Sequence, residues 1–106
     1  MRVLSAQDAH AAWTAGEVAI LDVREQVEYD AVHIPGVPLI PMSEFLERID
    51  ELPDRPLAIL CRSGARSASV AGYLEEQAGR NDVANVEGGI IAWAASGLPY
   101  EGDPPR

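Results

Sequence analysis

The 106-residue chain has one cysteine and no lysine. A single thiol excludes an internal disulfide and an internal resolving thiol, so an adduct on it must be discharged by an outside molecule. A lone thiol also suits a reducing compartment. All eight positive charges are arginines, set against 17 acids, for a formal net charge of −9. That balance argues against nucleic acid as a partner, because neutralising phosphates needs basic patches. No apolar run approaches the length of a membrane span. The first eight residues, Met1 to Asp8, lack the apolar run of a signal peptide. The expectation is a cytoplasmic protein that engages neither nucleic acid nor membrane. The length corresponds to one domain, 1–106, which buries enough surface to need no metal or disulfide staple.

What is present centres on the thiol. An apolar run, Leu57-Ala58-Ile59-Leu60, leads into Cys61. Arg62, Ser63, Gly64, Ala65, Arg66 and Ser67 follow, and then helix-forming residues. This reads as a strand, a tight turn and a helix start, with the thiol where the strand ends. Turn N–H groups and a helix N-terminus present partial positive charge. Arg62 and Arg66 add full charges. Such a setting lowers a cysteine pKa and favours the nucleophilic thiolate. The plainer alternative is a buried structural cysteine. Two arginines within five residues disfavour it. In an acidic chain they point to a local anion site.

Elsewhere, apolar runs alternate with helical patterns. Val3-Leu4 reads as an edge strand. Ser5-Ala6-Gln7-Asp8 has capping-box form, so a helix starts near Ala6, and Gly16 ends it. Val18 to Val23 reads as a buried strand, and Glu25 to Asp30 as one helical turn. His33 to Pro38 reads as a proline-stiffened loop. Ser43 is the predicted N-cap of a helix carrying Phe45, Leu46, Ile49 and Leu52, stopped by Pro53. Leu57 to Leu60 and Val83 to Val86 are further strands. Ser67 to Ala78 is the helix after the thiol, with Gly79 as its stop. Gly88-Gly89 permits a sharp turn, and Ile90 to Ala95 begins a short helix. The tail from Pro99 is expected to fray. The pattern predicts an α/β domain with a mostly parallel sheet and helices on both faces. Ligands of such sheets bind beyond the carboxyl ends of the strands, where Cys61 lies.

Several segments resemble motifs of the rhodanese family, in the family's order. Leu21-Asp22-Val23-Arg24-Glu25 is similar to its L-D-V-R-E motif. Residues Glu28 to Val37 resemble E-[FY]-x-x-G-H-I-P-G-A, and Cys61 to Ser67 resemble the loop C-R-S-G-x-R-S. Val86-Glu87-Gly88-Gly89-Ile90 with Trp93 resembles L-E-G-G-[IM]-x-x-W, and Gly97-Leu98-Pro99 resembles the usual ending. Val32 departs from the family's glycine and Val37 from its alanine. A β-branched residue tolerates positive φ poorly, so Val32 is expected to have an ordinary backbone.

The resemblance implies a rhodanese-like fold and transfer of sulfane sulfur. The Cys61 thiolate would take the outer sulfur of thiosulfate or a related anionic donor as a persulfide, and cyanide or a thiol would remove it. N–H groups from Arg62 to Ser67 would stabilise the thiolate and persulfide. Arg62 and Arg66 are candidates for the anionic donor. The sequence leaves open which of them serves, and whether one instead bridges an acid of the first motif. Asp22, Arg24 and Glu28 read as structural, since sulfur transfer needs no general base once the thiol is ionised. The scheme needs no cofactor. His10 and His33 have no partner at metal-ligand spacing, and Trp13 and Trp93 read as core or shoulder residues. Two other readings compete. A persulfide carrier for a protein acceptor cannot be separated by sequence from a small-molecule enzyme. A cysteine phosphatase or arsenate reductase fits less well, because Ser67 stands where a phosphatase has arginine and Leu60 where it has histidine.

Overall fold

The computed structural model describes residues 1–105. Four parallel strands form the sheet: β1 (Arg2–Leu4), β2 (Ala19–Asp22), β4 (Leu57–Leu60) and β5 (Val83–Val86), in the order β1-β5-β4-β2. The helices between and after them are α1 (Ala6–Thr14), α2 (Gln26–Ala31), α3 (Ala65–Gln77) and α4 (Gly89–Ala95). A small antiparallel pair joins β3 (Val32–His33) to β6 (Glu101–Gly102).

Period-two alternation divides the core into two layers. Ile20, Ala58, Leu60 and Val86 face one side, where Ala6 and Ala9 of α1 and Ile90 and Trp93 of α4 cover them. Leu21, Leu57, Ile59 and Val83 face the other, against Val70, Ala71 and Leu74 of α3 and against Phe45. Cys61 continues the alternation of Leu57 and Ile59 and so faces α3. These strands are apolar along their length because both faces are covered. The α/β fold with a parallel sheet flanked by helices is as the sequence predicts.

The Ser5 hydroxyl accepts from the Asp8 N–H at 3.1 Å, so α1 starts where its cap places it. Strands β4 and β5 match their expected bounds, whereas α3 begins at Ala65, two residues earlier than expected. Val32 has φ −157°, extended and unstrained, and Val37 is buried.

Two expectations need correction. The helix predicted from Ser43 is instead two 3-10 segments, Met42–Glu44 and Leu46–Glu51, with a kink at Arg48. Ser43 caps neither. Its hydroxyl and N–H both bind the Glu25 carboxylate, at 2.5 and 3.1 Å. With the capping hydroxyl drawn away, the short stretch between Pro41 and Pro53 closes only i to i+3 bonds, such as Phe45 N–H to the Met42 carbonyl.

The tail expected to fray from Pro99 is held through Asp103. Glu101–Gly102 pairs with β3. The Trp93 indole N–H donates to the Pro99 carbonyl at 2.8 Å, and the Asp103 N–H donates to the Ala31 carbonyl at 3.0 Å. Arg106 lies outside the described residues. Among the described residues no helix is long and apolar enough to cross a membrane.

Candidate active site

Cys61 follows β4 directly and is buried, with 1% of the residue exposed. The backbone around it is shaped by the start of α4. The Ile90 N–H donates to the Cys61 carbonyl at 2.9 Å, and the Ile91 N–H to the Arg62 carbonyl at 3.2 Å. A trans peptide sets each carbonyl opposite the next residue's N–H. Turning these carbonyls toward α4 therefore turns the next N–H groups the other way, into the loop. Gly89 makes the close approach possible. Its φ is +59°, and a Cβ there would collide with the carbonyls of Cys61 and Arg62.

Inside the loop, the Gly64 N–H points at the Cys61 sulfur, 3.1 Å away. Gly64 has φ +105°, the left-handed turn that swings the chain into α3. The Ser67 hydroxyl lies 3.2 Å from the sulfur. Burial pushes the thiol pKa up. The Ser67 hydroxyl and the N–H groups of Ser67, Gly64 and Ser63 outweigh it and leave the thiol below its ordinary value. The loop is thus a cradle of donors aimed at one sulfur atom.

The two arginines take different places. Arg66, in the first turn of α3, binds the Glu28 carboxylate of α2 through two bonds of 2.7 Å. Arg66 holds the Glu28 carboxyl down at a pKa of about 2. One arginine therefore does bridge an acid, but that acid belongs to the second motif, not the first. Arg62 is exposed and lines a cleft of about 320 Å³ with Arg24, Glu28, Val32, Ile90 and the tail residues Asp103 to Pro105. Cys61 does not line this cleft. Ser63 and Ala65 are exposed on the loop and at the start of α3.

Asp22 and Arg24 form a buried pair whose nearest contact is 2.8 Å. Arg24 also donates to the Val32 carbonyl at 2.7 Å, which ties β2 to β3. These partners support the structural reading of both residues. His33 stacks on Tyr29 and His10 lies edge-on to Trp93.

Sequence reasoning missed Asn85. This buried β5 residue alternates with Val83, so it faces α3. Its Oδ1 accepts from the Ser67 hydroxyl at 2.5 Å, and its Nδ2 donates to the Gly64 carbonyl at 3.2 Å. The available signal was a lone polar residue in Val83-Ala84-Asn85-Val86.

Comparison with known proteins places the chain among close relatives. The rhodanese-like domain family matches residues 5–96. A sulfurtransferase of Allochromatium vinosum is 44% identical over 84 residues, covering 78% of each chain. The structure of a rhodanese-related protein from Thermoplasma volcanium superposes with a TM-score of 0.86 at 33% identity, covering 97% of this chain and all of that one. A thiosulfate sulfurtransferase from Pseudomonas aeruginosa superposes with a TM-score of 0.83 at 30% identity, covering 96% of this chain but only 20% of that one.

Proposed function

The chain belongs to the rhodanese-like domain family, and on that premise we propose that it is a sulfurtransferase working through a persulfide on Cys61. The observation that carries this reading is the donor cradle. A thiol held below its ordinary pKa sits at the end of a strand, with the Gly64 N–H donating to its sulfur and the Ser67 hydroxyl in hydrogen-bond contact with it. The resemblance to a named sulfurtransferase over most of both chains supports it.

Two displacements make up the reaction. The Cys61 thiolate attacks the outer sulfur of thiosulfate or a similar anionic donor. The bond between the donor's two sulfur atoms breaks, and sulfite leaves with that electron pair. Cys61 then carries a persulfide whose charge rests on the outer sulfur. Cyanide or a thiol attacks that sulfur, and the thiolate is restored as the leaving group. The attacking species is the thiolate, so the displacement itself needs no general base. The N–H groups of Ser63, Gly64 and Ser67 stabilise the charge at each stage. Arg62 and Arg66 draw the anionic donor to the loop in an otherwise acidic protein.

The phosphatase reading is weaker on the same geometry. Ser67, at the position of the phosphatase arginine, is buried and contacts the sulfur and Asn85, so no guanidinium occupies that place. A carrier that hands its persulfide to a protein thiol shares the first displacement and differs only in the second.

Steady-state formation of thiocyanate from thiosulfate and cyanide tests the proposal. Turnover is expected with the native protein and not with Cys61→Ser. Equal turnover in that variant would overturn the mechanism. Persulfide formation without thiocyanate would assign the second step to a protein acceptor.

A further inference from the structure

We propose that Asn85 is a positioning residue for Cys61: its amide oxygen competes with the sulfur for the one proton of the Ser67 hydroxyl, and the hydroxyl turns to the sulfur only when the sulfur is an anion. The proposal deepens the sulfur-transfer reading and rests on Cys61 being the reacting thiol.

The amide's orientation decides the matter. Asn85 Nδ2 donates to the Gly64 carbonyl at 3.2 Å. The opposite orientation would set two acceptors against each other, so Oδ1 is the atom facing Ser67. An amide oxygen can only accept. The 2.5 Å contact between Ser67 Oγ and Asn85 Oδ1 therefore carries the hydroxyl proton. A hydroxyl has only one. The 3.2 Å contact between Ser67 Oγ and Cys61 Sγ must then be donated by the thiol. That arrangement belongs to neutral Cys61.

Ionised Cys61 requires a different one. A thiolate cannot donate, so the Ser67 proton must rotate to it. Asn85 Oδ1, in a residue only 9% exposed, then loses its partner. Leaving a buried acceptor unmatched opposes the change. Asn85 thus restrains ionisation while Ser67 assists it. After the new sulfur–sulfur bond forms, the charge lies on the outer atom, and the hydroxyl can return to Asn85. The pair follows the charge through the cycle. It favours the loaded sulfur over the bare thiolate.

Charged groups from neighbouring elements frame the site: Arg62 in the loop, Arg66 on α3, Glu28 on α2, Glu25 before it, and the Asp22–Arg24 pair at the end of β2. None is altered by a substitution at Asn85, which carries no charge. Asn85 also holds the Gly64 carbonyl, so the part of a shift that disappears in the Ser67→Ala background is the part carried by the hydroxyl.

The test is the pH dependence of Cys61 alkylation by iodoacetamide, which needs no sulfur donor. Asn85→Leu removes the competing acceptor at similar volume, and is expected to lower the apparent thiol pKa by roughly one unit. Ser67→Ala is expected to raise it. In the Ser67→Ala background, Asn85→Leu is expected to shift nothing, because the relay is already cut. Asn85→Ala carries the same predictions if leucine prevents folding. An unchanged or raised pKa in the Asn85 variant would overturn the proposal, as would an equal drop in the Ser67→Ala background. Failure of sulfur transfer itself would leave this measurement readable, and the two outcomes are separable.

Discussion

Arg66 grips the Glu28 carboxylate with both terminal guanidinium nitrogens, at 2.7 Å each, across 38 residues of sequence. The bond joins the first turn of α3 to α2 and sets a full positive charge beside the thiol loop. It also gives that charge a resident competitor for any incoming anion.

Arg66→Ala should therefore raise the half-saturating thiosulfate concentration by about tenfold, the loss of one charge-assisted contact. Glu28→Gln should lower it, because the competing carboxylate is gone while Arg66 stays. Saturation kinetics check both. An unchanged curve in Arg66→Ala would confine that residue to bridging the two helices.

Acid stability follows from the same pair. Glu28 has its pKa lowered from 4.5 to about 2, chiefly by hydrogen bonds from Arg66. A carboxyl held low in the folded state stabilises the fold above its unfolded pKa and stops doing so as it protonates. The contribution is complete above 4.5 and is lost as pH falls toward 2. The stability difference between the native protein and Glu28→Gln should be constant near neutrality and shrink across that window. Denaturant unfolding at a series of pH values reads it. A difference that persists at the acid end would mean that the ion pair does not stabilise the fold.

Gly89→Ala should be severe for a residue with no side chain to lose. It combines strained positive φ with a collision against the Cys61 and Arg62 carbonyls. A loss of about 2 kcal/mol or more is expected, with weaker protection of Cys61 from bulky thiol reagents. Chemical denaturation and alkylation rates measure the two effects. A near-neutral variant would mean that α4 does not fix the loop.

The shape of the pH–reactivity curve tests the cradle itself. With the thiol pKa lowered, Cys61 of the native protein should reach half-maximal alkylation at a pH below 9, the ordinary thiol value. A midpoint at or above it would mean that burial outweighs the donors.

Sequence and structure agree where local patterns decide. Strand β4 is an apolar run that starts after Pro56, and β5 is one interrupted only by Asn85 between Asp82 and Glu87, and both match their expected bounds to the residue. Ser5 caps α1 because its partner, Asp8, is three residues away. The thiol loop was legible from one glycine and two arginines after an apolar run, and from its likeness to a family. What was not legible depends on distant partners. Ser43 looks like a helix cap until Glu25, 18 residues earlier, takes its hydroxyl. The tail looks free until Glu101 and Gly102 meet β3. The Arg66–Glu28 pair and the facing of Asn85 to Ser67 arise only when α2, α3 and β5 are brought together. Alternation in a strand says that Asn85 faces one layer, but not which polar group awaits it there.

The account stands on Cys61 taking sulfur from a donor. Its most direct test is the intact mass of the reduced protein after incubation with thiosulfate and again after cyanide. A gain of one sulfur atom, absent in Cys61→Ser and reversed by cyanide, is the predicted result. A gain that persists in Cys61→Ser, or no gain from thiosulfate or any other sulfane donor, would contradict it.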